Sequence, residues 1–438
     1  MINFRKDFTF YVSIILVVLL LLSATTKNAI FLYLLFGASL LLINNPVYLL
    51  PVYIIASLSG NFFDIGGGFS ISRIVALVFI IGSGFKYGGS FNVNKNYINP
   101  ILLIFFFNII SSVTSLTGSM WGFLEMLPNL LIVFICSGIK FPHINKLTFI
   151  LTISSIITIA LIALNIKDQL TMIQIERLTT GDNVNQNRFA MMLAQLIAIL
   201  FASFTIFKKY KFKFVFLITI AIGFIMVFLS GSRSAFVGIT LSSLFIYLYY
   251  FLKVKIKVLV PIIVMAIIFF NFYQYLSEMG LPVVERFTYE DVRNSGGTNR
   301  WAIWETLVPY NLVNYPFFGV GLGAENVIAI PVGGIHSPAH NFVIDLFLQM
   351  GLFGLILYFS FFLRVAKTIK AHLDNPYIFI PFWMLLTAFI NGIGETIFPE
   401  KLFWNGIALT ILFANNLNLN KPVADLTKNK ISTISQFH

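Results

Sequence analysis

Residues 342–363 read FVIDLFLQMGLFGLILYFSFFL, a stretch with a single charged side chain, Asp345. A helix rises about 1.5 Å per residue, so roughly 20 mostly apolar residues cross the hydrocarbon core of a bilayer. Phe342–Leu363 meets that condition, and thirteen further runs resemble it. In the first half these are Phe8–Ser23, Ala29–Ile43, Val47–Phe63, Ile71–Phe85, Ile101–Leu116, Trp121–Ile139 and Leu147–Leu164. In the second half they are Phe189–Phe207, Phe214–Leu229, Ala235–Leu252, Val258–Leu276, Tyr377–Ile393 and Leu402–Ala414. Several are short, so the expectation is an all-α, polytopic membrane protein of 12–14 spans. The first run follows Arg5 and Lys6 and reads as an uncleaved helix rather than a signal peptide.

Composition agrees with this reading. Of 438 residues, 58% are hydrophobic, 16% aromatic and 11% charged. A soluble domain carries about 25% charged residues, and the mean hydropathy here is +0.89. A water-soluble, disordered or disulfide-built protein is thereby excluded. The lone cysteine, Cys136, has no internal partner and sits in an apolar run. The net charge of +12 raises nucleic acid as a partner, but the basic residues fall in loops, where membrane topology accounts for them.

With the N-terminus in the cytoplasm and loops alternating, 19 of the 29 basic residues lie inside and ten outside. Positive charge favours the cytoplasmic side, so both termini are expected there. The inside set is 17 Lys and 2 Arg, whereas the outside set is 3 Lys and 7 Arg. Topology alone requires no outer arginines. The guanidinium group grips phosphate through a planar fork of donors, so the outer arginines point to an anion site. For each one taken singly, an ion pair with an outer acid such as Glu176, Asp182 or Glu290 is the alternative.

The expected organisation is residues 1–277 as spans one to eleven and 278–341 as one large outer loop. Residues 342–414 hold the last three spans, and 415–438 form a cytoplasmic tail. A loop of this length tends to be functional. It contains Trp301-Ala302-Ile303-Trp304-Glu305, which suits a short amphipathic helix on the membrane surface.

Four polar clusters fall at outer span edges: Gly181–Arg188, Ser230–Ser234, Thr298–Trp301 and His336–Asn341. Arg188 also suits a snorkelling helix start, and Arg300 a helix-face pair with Glu305. His340 also suits a helix cap or a lipid contact. His336 and His340 have the spacing of a metal pair, but Pro338 intervenes and no cysteine is near, so no metal is expected. The glycines of Gly319-Val320-Gly321-Leu322-Gly323 lack the following lysine of a phosphate loop and read as a turn.

Arg233 within Gly231-Ser232-Arg233-Ser234-Ala235, then Arg300-Trp301, Gly319-Val320-Gly321, His340-Asn341 and Gly351-Leu352-Phe353-Gly354 follow in that order. Over roughly Asn183 to Phe359 this resembles the O-antigen ligase and O-antigen polymerase superfamily of bacterial envelopes. The N-terminal third and the last spans are similar only in being hydrophobic. The resemblance implies a glycosyltransferase of the multi-spanning C type in the bacterial inner membrane. Its donor would be a glycan on undecaprenyl pyrophosphate, and its acceptor a hydroxyl at the periplasmic or outer face. By position, Arg188, Arg233 and Arg300 would hold the pyrophosphate and His340 would be the base. His336 is a second candidate base, and the preference for His340 rests on Asn341 beside it.

No cofactor is expected, and the chain has no Asp-x-Asp motif. The acceptor is either a lipid-linked glycan, as in a polymerase with a chain-length regulator as further partner, or the lipid A-core, as in a ligase. Polymerase is the reading carried forward, on the greater number of polymerases rather than on any residue. A lipid-linked sugar flippase is the reading of another class. Against it, the only ionisable residues inside candidate spans are Arg73, Glu125 and Asp345, all near span ends.

Overall fold

A computed structural model describes residues 8–26, 29–58, 71–90, 94–115, 120–165, 185–207, 210–253, 267, 270–271, 273–280, 282–288, 300–324, 339–395 and 401–417. Among the described residues every regular element is helical. We label the main ones α1 (Phe8–Thr26), α2 (Ala29–Leu40), α3 (Leu49–Leu58), α4 (Ile71–Tyr87), α5 (Lys95–Val113), α6 (Trp121–Gly138) and α7 (Ile144–Asn165). They continue as α8 (Gln186–Ile206), α9 (Tyr210–Leu229), α10 (Arg233–Lys253), α11 (Arg300–Asn314), α12 (Phe342–Ala371), α13 (Phe379–Ile393) and α14 (Lys401–Leu417).

Six of these, α5, α7, α8, α9, α12 and α13, are long and apolar enough to cross a membrane. Four shorter apolar helices accompany them: Phe8–Leu22, Pro46–Leu58, Gly122–Gly138 and Arg233–Tyr249. The expected span Val258–Leu276 falls largely outside the described residues. The all-helical membrane architecture therefore stands.

Helix α8 forms the centre. Every side chain from Phe189 to Ser203 is buried, and α7, α9, α10 and α13 pack around it. Phe201 stacks on Trp383 of α13 with ring centroids 5.2 Å apart. Helix α14 is nearly as enclosed, between α6, α12 and α13. Outward-facing positions carry large apolar side chains such as Phe85, Phe106 and Ile356, as a lipid-facing bundle requires.

Lipid tails are as apolar as leucine, so helix association leans on close packing and interhelical hydrogen bonds. Tyr53 donates to Asn129 at 3.0 Å, Tyr358 to Asn108 at 2.9 Å, and Gln195 to the Met384 carbonyl at 3.0 Å.

One helix is broken. At Gly351 the backbone of α12 turns to φ 63°, splitting off the segment Phe342–Met350. A backbone break at this depth requires partners for the freed groups. They come from the chain after α11. Leu352 and Phe353 donate to the carbonyls of Pro316 and Phe317 at 2.9 and 3.1 Å, and Val320 and Gly321 donate to Leu348 and Gln349 at 2.8 and 3.0 Å. The glycines at 319–323, expected to form a turn, are a turn that seals this break. Gly319 and Gly321 both have positive φ, and a Cβ on Gly319 would lie 2.5 Å from the Leu348 carbonyl oxygen.

Candidate functional site

The first turns of α8, α10, α11 and α12 and the last turn of α13 converge at one end of the bundle. Asparagine starts two of them. Asn185 caps α8 by accepting from Asn187 N and Arg188 N at 2.9 and 3.3 Å. Asn341 caps α12 by accepting from Val343 N and Ile344 N at 3.0 and 3.2 Å. Such caps satisfy backbone donors that have no partner within the helix.

At the meeting point lies Glu395, just past α13, with only 7% of its side chain exposed. Its Oε1 accepts from Arg300 Nη2 at 3.2 Å and from Asn187 Nδ2 at 2.5 Å. Its Oε2 is 3.2 Å from His340 Nδ1. A buried carboxylate is tolerated when paired and hydrogen-bonded, and this one has both kinds of partner. An ionised carboxylate only accepts hydrogen bonds. Nδ1 therefore carries the proton in a neutral His340, which leaves Nε2 with a lone pair.

His340 is held in a costly conformation. Among the described non-glycine residues it alone has positive φ, at 51°. That region costs an L-residue roughly 1–2 kcal/mol. Its neighbours hold it there. Ala339 N donates to Asp345 Oδ1 at 3.2 Å, and Trp304 Nε1 donates to Ala339 O at 2.7 Å. Asn341 Nδ2 donates to Ile393 O at 3.1 Å. Each bond contributes about 0.5–1.5 kcal/mol, so the set offsets the strain. Asp345, noted in the sequence as an acid within a span, thus fixes the backbone beside the histidine.

Helix α11 lies within the large loop and begins at Arg300. Asn311 Nδ2 donates to Phe347 O at 3.1 Å, fastening α11 to the broken-off segment of α12. Arg300 pairs with Glu395 rather than with Glu305, and its Nε is buried with no hydrogen-bond partner among the described residues. Gly394 lets the guanidinium lie close, since a Cβ there would be 3.3 Å from Arg300 Nη1 and 3.0 Å from Ser234 Cβ.

The other expected residues divide as follows. Arg188 follows Asn187 on the first turn of α8 and is exposed. Arg233 opens α10, half-buried, beside Ser234. The four polar clusters therefore meet around Gly394 and Glu395, through Asn187, Ser234, Arg300 and His340. His336 lies outside the described residues, as do Glu176, Asp182 and Glu290. Arg286, one of the outer arginines, donates from Nε to the Gly231 carbonyl at 3.2 Å and so braces the turn before Arg233. Arg73 lies 3.8 Å from Glu125, which makes it one of the ion pairs weighed for outer arginines.

Glu395 was not singled out in the sequence. Its partners lie 55, 95 and 208 residues away along the chain. The available signal was that an acid closes a span in a chain with only 17 Asp and Glu.

No curated protein matches the chain. Residues 218–359 match the model of a family described as O-Antigen ligase. That stretch runs from within α9 to within α12 and includes Arg233, Arg300, His340 and the break at Gly351, but not Asn187, Arg188 or Glu395. Over this third of its length the chain is similar to the O-antigen ligase family, and its apolar helices agree with a membrane protein of that kind.

Proposed function

We propose that the chain transfers a glycan from undecaprenyl pyrophosphate to the hydroxyl of a lipid-linked acceptor glycan, as a surface-polysaccharide polymerase. The observation that carries this is the bridge from Arg300 through Glu395 to His340, with 3.2 Å on each side. Glu395 joins a phosphate-gripping residue type to a histidine whose free nitrogen can accept a proton.

In this reading His340 Nε2 takes the proton of the acceptor hydroxyl. The oxygen attacks the anomeric carbon as the bond from that carbon to the pyrophosphate oxygen breaks, with inversion. The leaving electron pair stays on the pyrophosphate, whose charge Arg188, Arg233 and Arg300 neutralise. The imidazolium formed on His340 is stabilised by Glu395, as the acid partner of a catalytic histidine does elsewhere. Cationic side chains supply the charge that a divalent metal supplies in other transferases. In this reading the chemistry takes place at the end of the bundle that the lysine bias favours as the periplasmic or external side of the bacterial inner membrane.

A second reading, a lipid-linked sugar flippase, gains something from the break in α12, since transporters often bind substrate at interrupted helices. Here the break is closed by four backbone hydrogen bonds. It therefore suits a fixed platform beneath His340 better than a moving gate.

The experiment combines the purified full chain in detergent with its host's lipid-pyrophosphate-linked oligosaccharide, with EDTA present and no nucleotide. A ladder of longer lipid-linked glycans, lost in His340→Ala and in Arg233→Ala, supports the metal-independent polymerase. Transfer only when core lipid is added makes the chain a ligase. Absence of transfer to either acceptor, with His340→Ala still complementing a deletion strain, overturns the catalytic reading in favour of transport.

A further inference from the structure

The end of the bundle opposite His340 carries a cleft with basic side chains in its lining. It has a volume of about 360 Å³ and lies between the start of α5 and the ends of α12 and α14. Small-molecule sites begin at roughly 300 Å³. Arg364, Lys367 and His372 line it from α12, and none of its lining residues is acidic. Positions 364, 367, 368, 371 and 372 recur at the spacing of one helix face, so α12 presents this stripe as a unit.

The walls are tied together by their own polar groups. Asn94 caps α5 by accepting from Asn96 N at 3.1 Å, and its Nδ2 donates to Asn415 Oδ1 at 3.3 Å. Asn415 in turn donates to Ser137 O at 2.9 Å. The hydroxyls of Tyr97 and Thr368 bond each other across the α5–α12 contact, and His372 Nδ1 is bonded to Thr368 O at 2.9 Å.

Arg364 and Lys367 are different. Pro100 has no N–H to give the carbonyl four residues back, that of Asn96, and Arg364 Nη1 donates to it at 3.4 Å. A guanidinium has five N–H donors, and one is used here. Lys367 makes no hydrogen bond or ion pair among the described residues.

Positive charge at this end is expected from membrane topology and from the carboxyl-end dipole of α12. Neither effect calls for cations to line a cleft free of carboxylates between spanning helices. We propose that this cleft binds the phosphate group of an anionic ligand, with Arg364 and Lys367 gripping the phosphate oxygens. Basic pockets between spanning helices at the membrane edge suit lipid headgroups of this chemistry. The site is separate from the one around His340. The unbroken stretch of α12 after Gly351 lies between them and rises about 1.5 Å per residue.

The test is native mass spectrometry of the full chain in neutral detergent, titrated with dihexanoyl phosphatidylglycerol and, separately, with dihexanoyl phosphatidylcholine. The expected result is a preference for the anionic lipid of about tenfold or more, lost in R364Q/K367Q. Lys367→Gln alone, which breaks no bond within the protein, is expected to lose part of it. The variant K86Q/K370Q, which removes two charges outside the cleft at the same end, is expected to keep the preference.

Displacement of the lipid by inorganic phosphate identifies a site for the phosphate group itself. Retention of the lipid identifies recognition of the glycerophosphate ester. Unchanged binding in R364Q/K367Q, or equal loss in K86Q/K370Q, overturns the proposal. None of these outcomes depends on glycan transfer.

Discussion

His340 is a histidine placed where the backbone favours glycine or asparagine. Strain of this kind persists only where surrounding contacts over-determine it, and Trp304, Asp345 and Asn341 do so here. The proposed role gives two expectations at this scale. General base work contributes roughly 10²–10⁴-fold, so His340→Ala should lower the transfer rate by that order while the variant still folds. Glu395→Gln should also cost about 10²-fold or more in rate, because an amide no longer stabilises the imidazolium. Glu395→Asp should recover part of the rate by retaining the charge. Both effects are read from product formation with the native lipid-linked donor.

The residues that reading the sequence brought forward, Arg233, Arg300 and His340, are those with a visible local context, such as small neighbours or a following asparagine. Glu395 had none. Its importance arises from three contacts made across the bundle, and no spacing along the chain reports them.

At the level of elements, the site depends on two devices. One is the asparagine cap of α12. Replacing Asn341 with alanine should cost about 1 kcal/mol of stability and also release the tie to Ile393. The expected readout is a modest fall in the thermal midpoint in detergent, with a larger proportional loss of transfer.

The other device is the sealed break. A Cβ on Gly351 would lie 2.3 Å from the Phe317 carbonyl carbon, at a φ that side chains avoid. Gly351→Ala should therefore destabilise the protein by about 1–3 kcal/mol and lower the thermal midpoint clearly. An unchanged midpoint would mean that the break and its seal are not as described. Apart from Val258–Leu276, which falls largely outside the described residues, the expected runs were legible as helices from length and apolarity; most bounds moved by a few residues, while α12 runs on past Leu363 to Ala371. The break was not legible. Gly351 and Gly354 sit in a continuous apolar run, and nothing local says that backbone 30 residues earlier will close over them. Helix α5 also begins at Lys95 rather than Ile101, because the asparagine cap at Asn94 carries the helix beyond its apolar stretch.

Across the whole molecule, helix direction alternates so that the polar clusters at residues 185–188, 230–234, 300–301 and 339–341 come to one end. The alternating-loop expectation put these four clusters on one side of the membrane, and the described helices bring their side chains to one end. Orientation in the membrane is testable because Cys136, the lone cysteine, is buried. A cysteine at exposed Trp301 should react with a membrane-impermeant thiol reagent in cells whose inner membrane is intact. A cysteine at exposed Lys370 should react only after that membrane is opened. The reverse pattern would turn the proposed site to the cytoplasm and remove its lipid-linked external substrates.

The most direct measurement is a double-mutant cycle on transfer, comparing wild type, His340→Ala, Glu395→Gln and the combined variant. If Glu395 acts through the histidine, its loss should matter only while His340 is present, and His340→Ala should transfer no faster than the combined variant. Fully additive losses would show that Glu395 acts independently of the histidine. Wild-type transfer by His340→Ala would contradict acid–base chemistry at this site altogether.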